Sequence, residues 1–446
     1  MPHQDQGWSA SGLAIAAALN WLVTPRLFGR LSFRKDCRWT PASLAQAALL
    51  WAWGEEAALT DRFFTARQTI ARLADGQQES VSYQAFVKML RRHSALLLLA
   101  LTEALQRQMR EALADCYRVA GYLAFGVDGT RIDAPRTRAN ERAFAAARCR
   151  TRRRGRRRRA AQKKAAAPRV WLTTLWHVGA GLPWGWRHGA SDGSEREHLL
   201  QMLAWLPERS LLTADAGFVG YEFWQALQEA GHDFLIRVGA NVTLLKRLGC
   251  FRECAGRVYL WPDRQARKRR PPIVLRLVVA HGGKHPVYLV TSVLAKNALS
   301  DRQLIELYQA RWGVEVFYRS FKRTFGRHKL RSASPENAQV ELDWSLTAIW
   351  AACLYAKHQQ LQAGEDLAKT SVAGVLRILR RAMRESDLAI AELLAAALVD
   401  LYHREDKASR AYPRKKTDAP GTAPPLILNA TKAQITLARQ IKRLTA

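Results

Sequence analysis

Residues 121–130 read Gly-Tyr-Leu-Ala-Phe-Gly-Val-Asp-Gly-Thr, and the fold turns on them. Before Gly121 the apolar residues recur at helical spacing. From Tyr122 to Val127 they run together, then stop at Asp128-Gly129-Thr130. That pattern predicts a short buried strand leading into a turn. A second run, Leu211-Leu212-Thr213-Ala214-Asp215, also ends on an aspartate. Between the two, Val170–Val178 and Pro183–His188 read as paired strands around Gly179-Ala180-Gly181, and Glu195–Trp205 as an amphipathic helix. Tyr221–Ala230 is a helix stopped by Gly231, and Phe234–Val238 is a further strand. Strand, strand, strand, helix, strand, helix, strand is the order of a mixed α/β layer, so the fold class is α/β.

Outward from this core the character changes twice. Residues 1–118 read as a helical region. Thr40 is an N-cap with Pro41 at the first helical position, and Ser82–Cys116 carries a long apolar periodicity. DNA-end binding and plain helical packing both fit it. Residues 241–296 lose the helical period and form a β-rich insertion, with His281-Gly282-Gly283-Lys284 as a hairpin turn and a basic cluster at Arg264–Arg270. Ser300 opens a helix running to about Phe325, and helices follow near 336–362 and 370–403. In that last stretch Leu376, Leu379, Leu388, Leu393 and Leu394 suit either dimerisation or packing on the core. Residues 404–446, with four prolines, read as a mostly extended basic tail with a short final helix.

Charge narrows the partner. The 446 residues hold 70 Lys and Arg against 38 Asp and Glu, a formal net charge of +32. That excess calls for a polyanion. Eleven basic residues crowd into Arg148–Lys164, and no acid lies between Glu141 and Asp192. A mobile arm binding phosphates without reading sequence fits this tract. A membrane surface fits less well: the longest apolar runs, Ala95–Leu101 and Ala348–Ala356, fall far short of the ~20 residues of a span. No basic leader precedes the first apolar stretch, so it does not read as a signal peptide. Six scattered cysteines, with only Cys250 and Cys254 close together, complete no zinc site and point to a reducing, cytoplasmic setting.

Three carboxylates stand out by placement. Asp128 and Asp215 close strands, and Glu315 lies on the helix after the insertion. Such acids are natural ligands for hard divalent cations, and two such ions about 4 Å apart serve phosphoryl transfer. Tyr308, Arg311, Glu315 and Lys322 are spaced by 3, 4 and 7. At about 100° per residue they share one helical face. An acid flanked by a phenol, a guanidinium and an ammonium suits a metal ligand beside phosphate clamps. An i,i+4 ion pair between Arg311 and Glu315 explains the same spacing, and from spacing alone both readings stand. Asp133, Asp192, Glu195, Glu197 and Glu306 rank below the three. Glu195 and Glu197 already fit helix N-terminal charge placement, and His198, His281 and His285 have no partner pattern.

Tyr308-x2-Arg311-x3-Glu315-x6-Lys322 resembles the Y-R-E-K signature of the DDE insertion-sequence transposases, the insertion-sequence-four-like family. Gly126-Val127-Asp128-Gly129-Thr130, Ser194-Glu195-Arg196-Glu197, Ala214-Asp215-Ala216-Gly217-Phe218 and Phe234-Leu235-Ile236-Arg237 resemble its other segments, in its order, across roughly residues 120–345. The resemblance implies a ribonuclease-H-like core over 119–240 and 297–335. It implies that Asp128, Asp215 and Glu315 bind two Mg²⁺ ions, with Mn²⁺ able to substitute. The activity implied is hydrolysis at a transposon end, then attack of the freed 3′-hydroxyl on target DNA. Tyr308, Arg311 and Lys322 would hold terminal phosphates. Trp261, in the insertion, would stack a flipped base, although a hydrophobic plug of a small sheet is the plainer reading of it. Partners implied are double-stranded DNA, both terminal inverted repeats and target, and a homodimer that brings two ends together. Two departures are the tract 148–164, which matches no family element, and Ala216, where the family often has Arg. A nuclease that cuts without joining, and an inactive basic DNA-binding protein, are the alternatives.

Overall fold

A computed structural model describes residues 13–73, 81–146, 166–249, 256–281, 285–367, 370–385 and 423–445. The basic tract 148–164, the pair Cys250 and Cys254, residues 282–284 of the hairpin turn, and Leu388, Leu393 and Leu394 lie outside the described residues.

The chain begins with helices α1 (Leu13–Leu22), α2 (Pro41–Trp53), α3 (Leu59–Leu73), α4 (Tyr83–Ala112) and the short α5 (Ala114–Tyr117). Thr40 caps α2, its hydroxyl accepting from Ser43 N at 3.1 Å. Strand β1 (Ala124–Asp133) is followed by α6 (Arg138–Phe144), β2 (Arg169–His177), β3 (Leu182–Gly189) and α7 (Glu195–Met202). Then come β4 (Leu211–Ala214), α8 (Tyr221–Glu229) and β5 (Asp233–Val238). The insertion supplies β6 (Thr243–Lys246), β7 (Arg257–Leu260), α9 (Asp263–Arg267), β8 (Ile273–Ala280) and β9 (Val287–Thr291). Helices α10 (Asp301–Ala310), α11 (Gly313–Arg319), α12 (Pro335–Gln362) and α13 (Val372–Arg384) precede β10 (Leu426–Asn429) and α14 (Lys432–Thr445).

All ten strands join one sheet in the order β10-β6-β7-β8-β9-β5-β4-β1-β2-β3. Strands β1, β2 and β3 form an antiparallel meander, and β4 and β5 add in parallel beside β1. The mixed α/β class expected from the order of elements is present. The insertion is not a layer apart, because β9 pairs antiparallel with β5 and carries the sheet onward. The C-terminal segment is not free either. Strand β10 pairs with β6, and Ala438 and Ile441 of α14 fill a second small core with Leu245, Leu248, Tyr259 and Trp261.

The first and last helical regions share one core. Helix α12 is buried along most of its length, between α2 and α4. The indole of Trp53 donates to Ala348 O at 2.8 Å, and that of Trp344 to Ser94 Oγ at 2.7 Å. Leu376 and Leu379 are buried in the same core, so they are spent on packing rather than on a partner subunit. The physical cause is apolar surface: α12 has no polar face wide enough to be left in water. No described helix is long and apolar enough to cross a membrane.

Candidate active site

Asp128 does not end its strand. It lies mid-way along β1, opposite Thr174 of β2, and Gly129 lies opposite Thr173. The Asp-Gly pair reads as a turn in sequence, yet a glycine inside a strand also marks a place where another group comes close. Asp215 does follow β4 directly, and it caps a short 3₁₀ turn by accepting from Gly217 N at 2.8 Å. Asp128 accepts from its neighbour Gly129 N at 2.9 Å.

The long helix expected from Ser300 to Phe325 is broken. Helix α10 stops at Ala310, α11 restarts at Gly313, and Ser320–Thr324 forms a π-helical turn. Gly313 is where α11 closes on β2: a Cβ there would meet the Trp176 indole nitrogen at 2.6 Å. The break and the wider turn replace the single stripe by a cup around β1. Glu315 Oε1 accepts from Arg311 at 3.0 Å. Lys322 Nζ donates to Thr130 Oγ1 at 2.6 Å. Tyr318, which sequence reading passed over, donates its hydroxyl to the Asp128 carbonyl at 2.7 Å. Its signal was its position on the same helix, three residues after Glu315.

Arg311 is turned inward, only 7% exposed, with its guanidinium 5.5 Å from the Tyr308 ring centroid and its stem against Gly126. It therefore holds Glu315 rather than offering a free fork to solvent. Arg237 of β5 lies near the Tyr308 hydroxyl, where its charge opposes the upward push of burial on the phenol. Trp261 does not present a stacking face. It is 3% exposed, packed in the second core, and its indole donates to Arg270 O at 2.9 Å. The stacking role is corrected accordingly: the ring is buried with Leu245, Leu248, Tyr259 and Ile441. An exposed aromatic beside the site is Trp312, 53% exposed, on the turn between Arg311 and Glu315.

The carboxylates feel one another. Burial pushes the Asp128 carboxyl up to about 6, with Glu315 and Asp215 adding to the shift and the Gly129 N–H and Arg311 opposing it. Burial likewise raises Glu195 to about 7, with Asp128 and Asp215 adding and Arg131 and Arg196 opposing. Glu195, ranked low in sequence, thus lies within electrostatic reach of Asp128 and Asp215. Asp133 pairs with Arg169 at 3.1 Å, Glu306 with Arg302 at 2.8 Å, and Glu197 is exposed. Buried His198 contacts Thr173 Oγ1 through Nδ1 at 3.0 Å, a packing role.

Among the described residues, no three His, Cys, Asp or Glu side chains are gathered tightly enough to hold an ion as they stand. The donor set nonetheless suits a hard divalent cation. It is all carboxylate oxygen, drawn from β1, the β4 turn and α11. Crowded carboxylates without a cation repel.

The burial of Asp128, with that repulsion added, has a pH signature. Asp128 holds its proton to a higher pH when folded than the ~4 of an unfolded aspartate. The folded chain then binds more protons between those two values, so this site's contribution to stability falls as pH rises from 4 through 6. Asp128→Asn in chelator should melt above the native chain at pH 7.5, and the gap should close towards pH 5. Equal melting temperatures at pH 7.5 would contradict the crowding.

The comparisons with known proteins agree on the family. The family model for the transposase DDE domain matches residues 120–351, more than half of the chain. The transposase InsG for insertion sequence element IS4 of Escherichia coli strain K12 is 25% identical over 322 residues, covering 68% of this chain and 70% of that one. Among solved structures, the piggyBac transposase synaptic complex with hairpin DNA aligns over 92% of this chain and 91% of that one, at 12% identity and a TM-score of 0.38, too low to bear on the fold. With its DDE-domain match over more than half of its length, the chain belongs to the DDE-domain transposases and is an enzyme that acts on DNA.

Proposed function

We propose that Asp128, Asp215 and Glu315 are the acid triad of this transposase, set on a ribonuclease-H-like core formed by β3-β2-β1-β4-β5. The observation that carries the reading is the packing of α11 and the turn after it on β1: Tyr318 donates to the Asp128 carbonyl, Lys322 to Thr130, and Arg311 holds Glu315, while β4, which leads into Asp215, pairs beside β1. The triad would hold two Mg²⁺ ions, with Mn²⁺ able to replace them. Bound there, the ions supply Lewis acidity to the attacking and leaving oxygens of the phosphodiester.

The chain's own residues prepare that site. Arg311 fixes the Glu315 carboxylate by a charge-assisted hydrogen bond and is itself held over the Tyr308 ring. Tyr318 fixes the Asp128 backbone from below. Lys322, half-buried and resting on Thr130, stands beside β1 where a DNA phosphate can take over its ammonium. Tyr308 and Arg237 offer a second phosphate contact. The reaction is hydrolysis at the terminal inverted repeat, followed by attack of the freed 3′-hydroxyl on target duplex, in a complex of two protomers. The net charge of +32 supplies sequence-independent affinity for both DNAs.

Pre-cleaved transposon ends, target plasmid and Mg²⁺ form the test. Joined product is expected, and it should vanish with chelator. Cutting of uncleaved ends without any joining of pre-cleaved ones would replace the transposase cycle by a nuclease.

A further inference from the structure

The basic cluster of the insertion and the final helix, far apart in sequence, meet at the second small core. Ala266 of α9 and Leu437 of α14 both pack against it, and Ala438 and Ile441 of α14 are buried in it. One lobe therefore carries Arg264–Arg270 and α14 together. The described residues of 243–270 and 423–445 hold twelve Lys and Arg against a single acid, Asp263. That is a net +11 of the chain's +32, on about a tenth of its residues.

The charge is arranged as well as concentrated. Lys432, Arg439 and Arg443 are spaced by 7 and 4, which at about 100° per residue sets them on one stripe about 40° wide. All three are exposed, while Ala438 and Ile441 turn the opposite side of the helix into the core. Residues 423–445 contain no acid to pair with the stripe. The Arg439 guanidinium lies over the turn after β6, 3.4 Å from where a Cβ of Gly249 would stand. Arg247, on that same turn, has φ 59°, and Arg269, at the end of the insertion's cluster, has φ 54°. Both lie in the left-handed region that favours glycine or asparagine. Two turns of the lobe thus display an arginine where backbone shape alone calls for glycine.

A small core wrapped in charge of one sign repels itself, and a second copy of the chain would add to the repulsion. A polyanion relieves it. The chain acts on DNA, whose phosphates supply that charge at regular intervals. The lobe also stands apart from the acids. Strand β6 is six strand steps from β1 in the sheet, about 29 Å at ~4.8 Å a step.

We infer that α14, the turn after β6 and the cluster Arg264–Arg270 form a separate duplex-binding surface. It holds DNA by its phosphates, and docking on the second core fixes α14 as a rail rather than a loose tail. The inference needs DNA as the substrate but not the acid triad.

The test uses the full chain and a long duplex of arbitrary sequence, with anisotropy titrations over a range of salt. Lys432→Gln, Arg439→Gln and Arg443→Gln combined should lower affinity about 10-fold or more near 0.1 M salt. The slope of log affinity against log salt should shrink by about 2–3. Ala438→Gln with Ile441→Asn keeps every charge and should undock α14, seen as faster amide exchange over 432–445 with α12 unchanged. It should weaken duplex binding in the same direction. Native affinity and slope in the triple variant would overturn the inference. So would native affinity in a chain whose α14 exchanges fast, because the charges would then act wherever the tail wanders. If the triple variant keeps duplex binding and loses binding to phosphatidylserine vesicles, the stripe serves a lipid surface and the inference falls.

Discussion

Glu315→Gln should bind transposon-end DNA as the native chain does and fail to cut it, with strand cleavage in Mg²⁺ down by about 10³-fold or more. The substitution is nearly isosteric, and a glutamine oxygen can still accept from Arg311, so the 3.0 Å contact that sets the side chain survives. What is lost is a negative charge at a place where Asp128 and Asp215 already supply two. An amide oxygen is a far poorer partner for a divalent ion than a carboxylate. DNA affinity should be spared, because it comes from a net charge of +32 spread over the chain. Gel shift and end nicking on the same preparation check both halves. Undiminished nicking would remove Glu315 from the acid triad.

The second large effect lies away from the DNA. Arg327→Ala should cost about 3–5 kcal/mol of stability, and the chain should become insoluble or melt on the order of 10 °C lower. Arg327 is only 2% exposed. Its guanidinium donates to Ala52 O at 2.5 Å and Gly54 O at 3.0 Å at the end of α2, to Phe325 O at 3.0 Å, and to Ser345 Oγ of α12 at 3.2 Å. One side chain thus ties the first helical region, the end of the Lys322 turn and α12. Removing it leaves several buried oxygens without donors. Lysine should not rescue, because a single ammonium cannot reach both helices as the planar fork does. A melting temperature within a degree or two of native for Arg327→Ala would show that this clamp carries no weight.

Much of this was legible in residue order. Thr40 and Pro41 fix the start of α2 by local chemistry, and the apolar runs of β2, β4 and β5 need no distant partner to be read as strands. Asp215 stands out because it follows a strong strand signal, and Glu315 because of its spacing from Tyr308, Arg311 and Lys322. The failures share a cause, which is that the deciding contact is far off in sequence. Gly129 looks like a turn until Glu195 is seen lying against it. The break before Gly313 depends on Trp176, and the burial of Trp261 depends on α14. Glu195 was passed over because the helix dipole gave a sufficient local reason for an acid there. A glycine following an aspartate inside an otherwise apolar run was the one available hint.

Strand β6 has its outer edge covered by β10, whose four residues pair Leu426 with Thr243 through Asn429 with Lys246. Residue 426 is synthesised long after residue 246. At ribosomal speeds of about 5–20 residues per second the interval is tens of seconds at most. Through that interval a growing polypeptide displays an unfinished β-edge with open amide and carbonyl groups, a template for pairing with a neighbouring nascent chain. Polysomes translating this message thus carry many such edges side by side, and residues 426–429 of each chain are what retire the hazard.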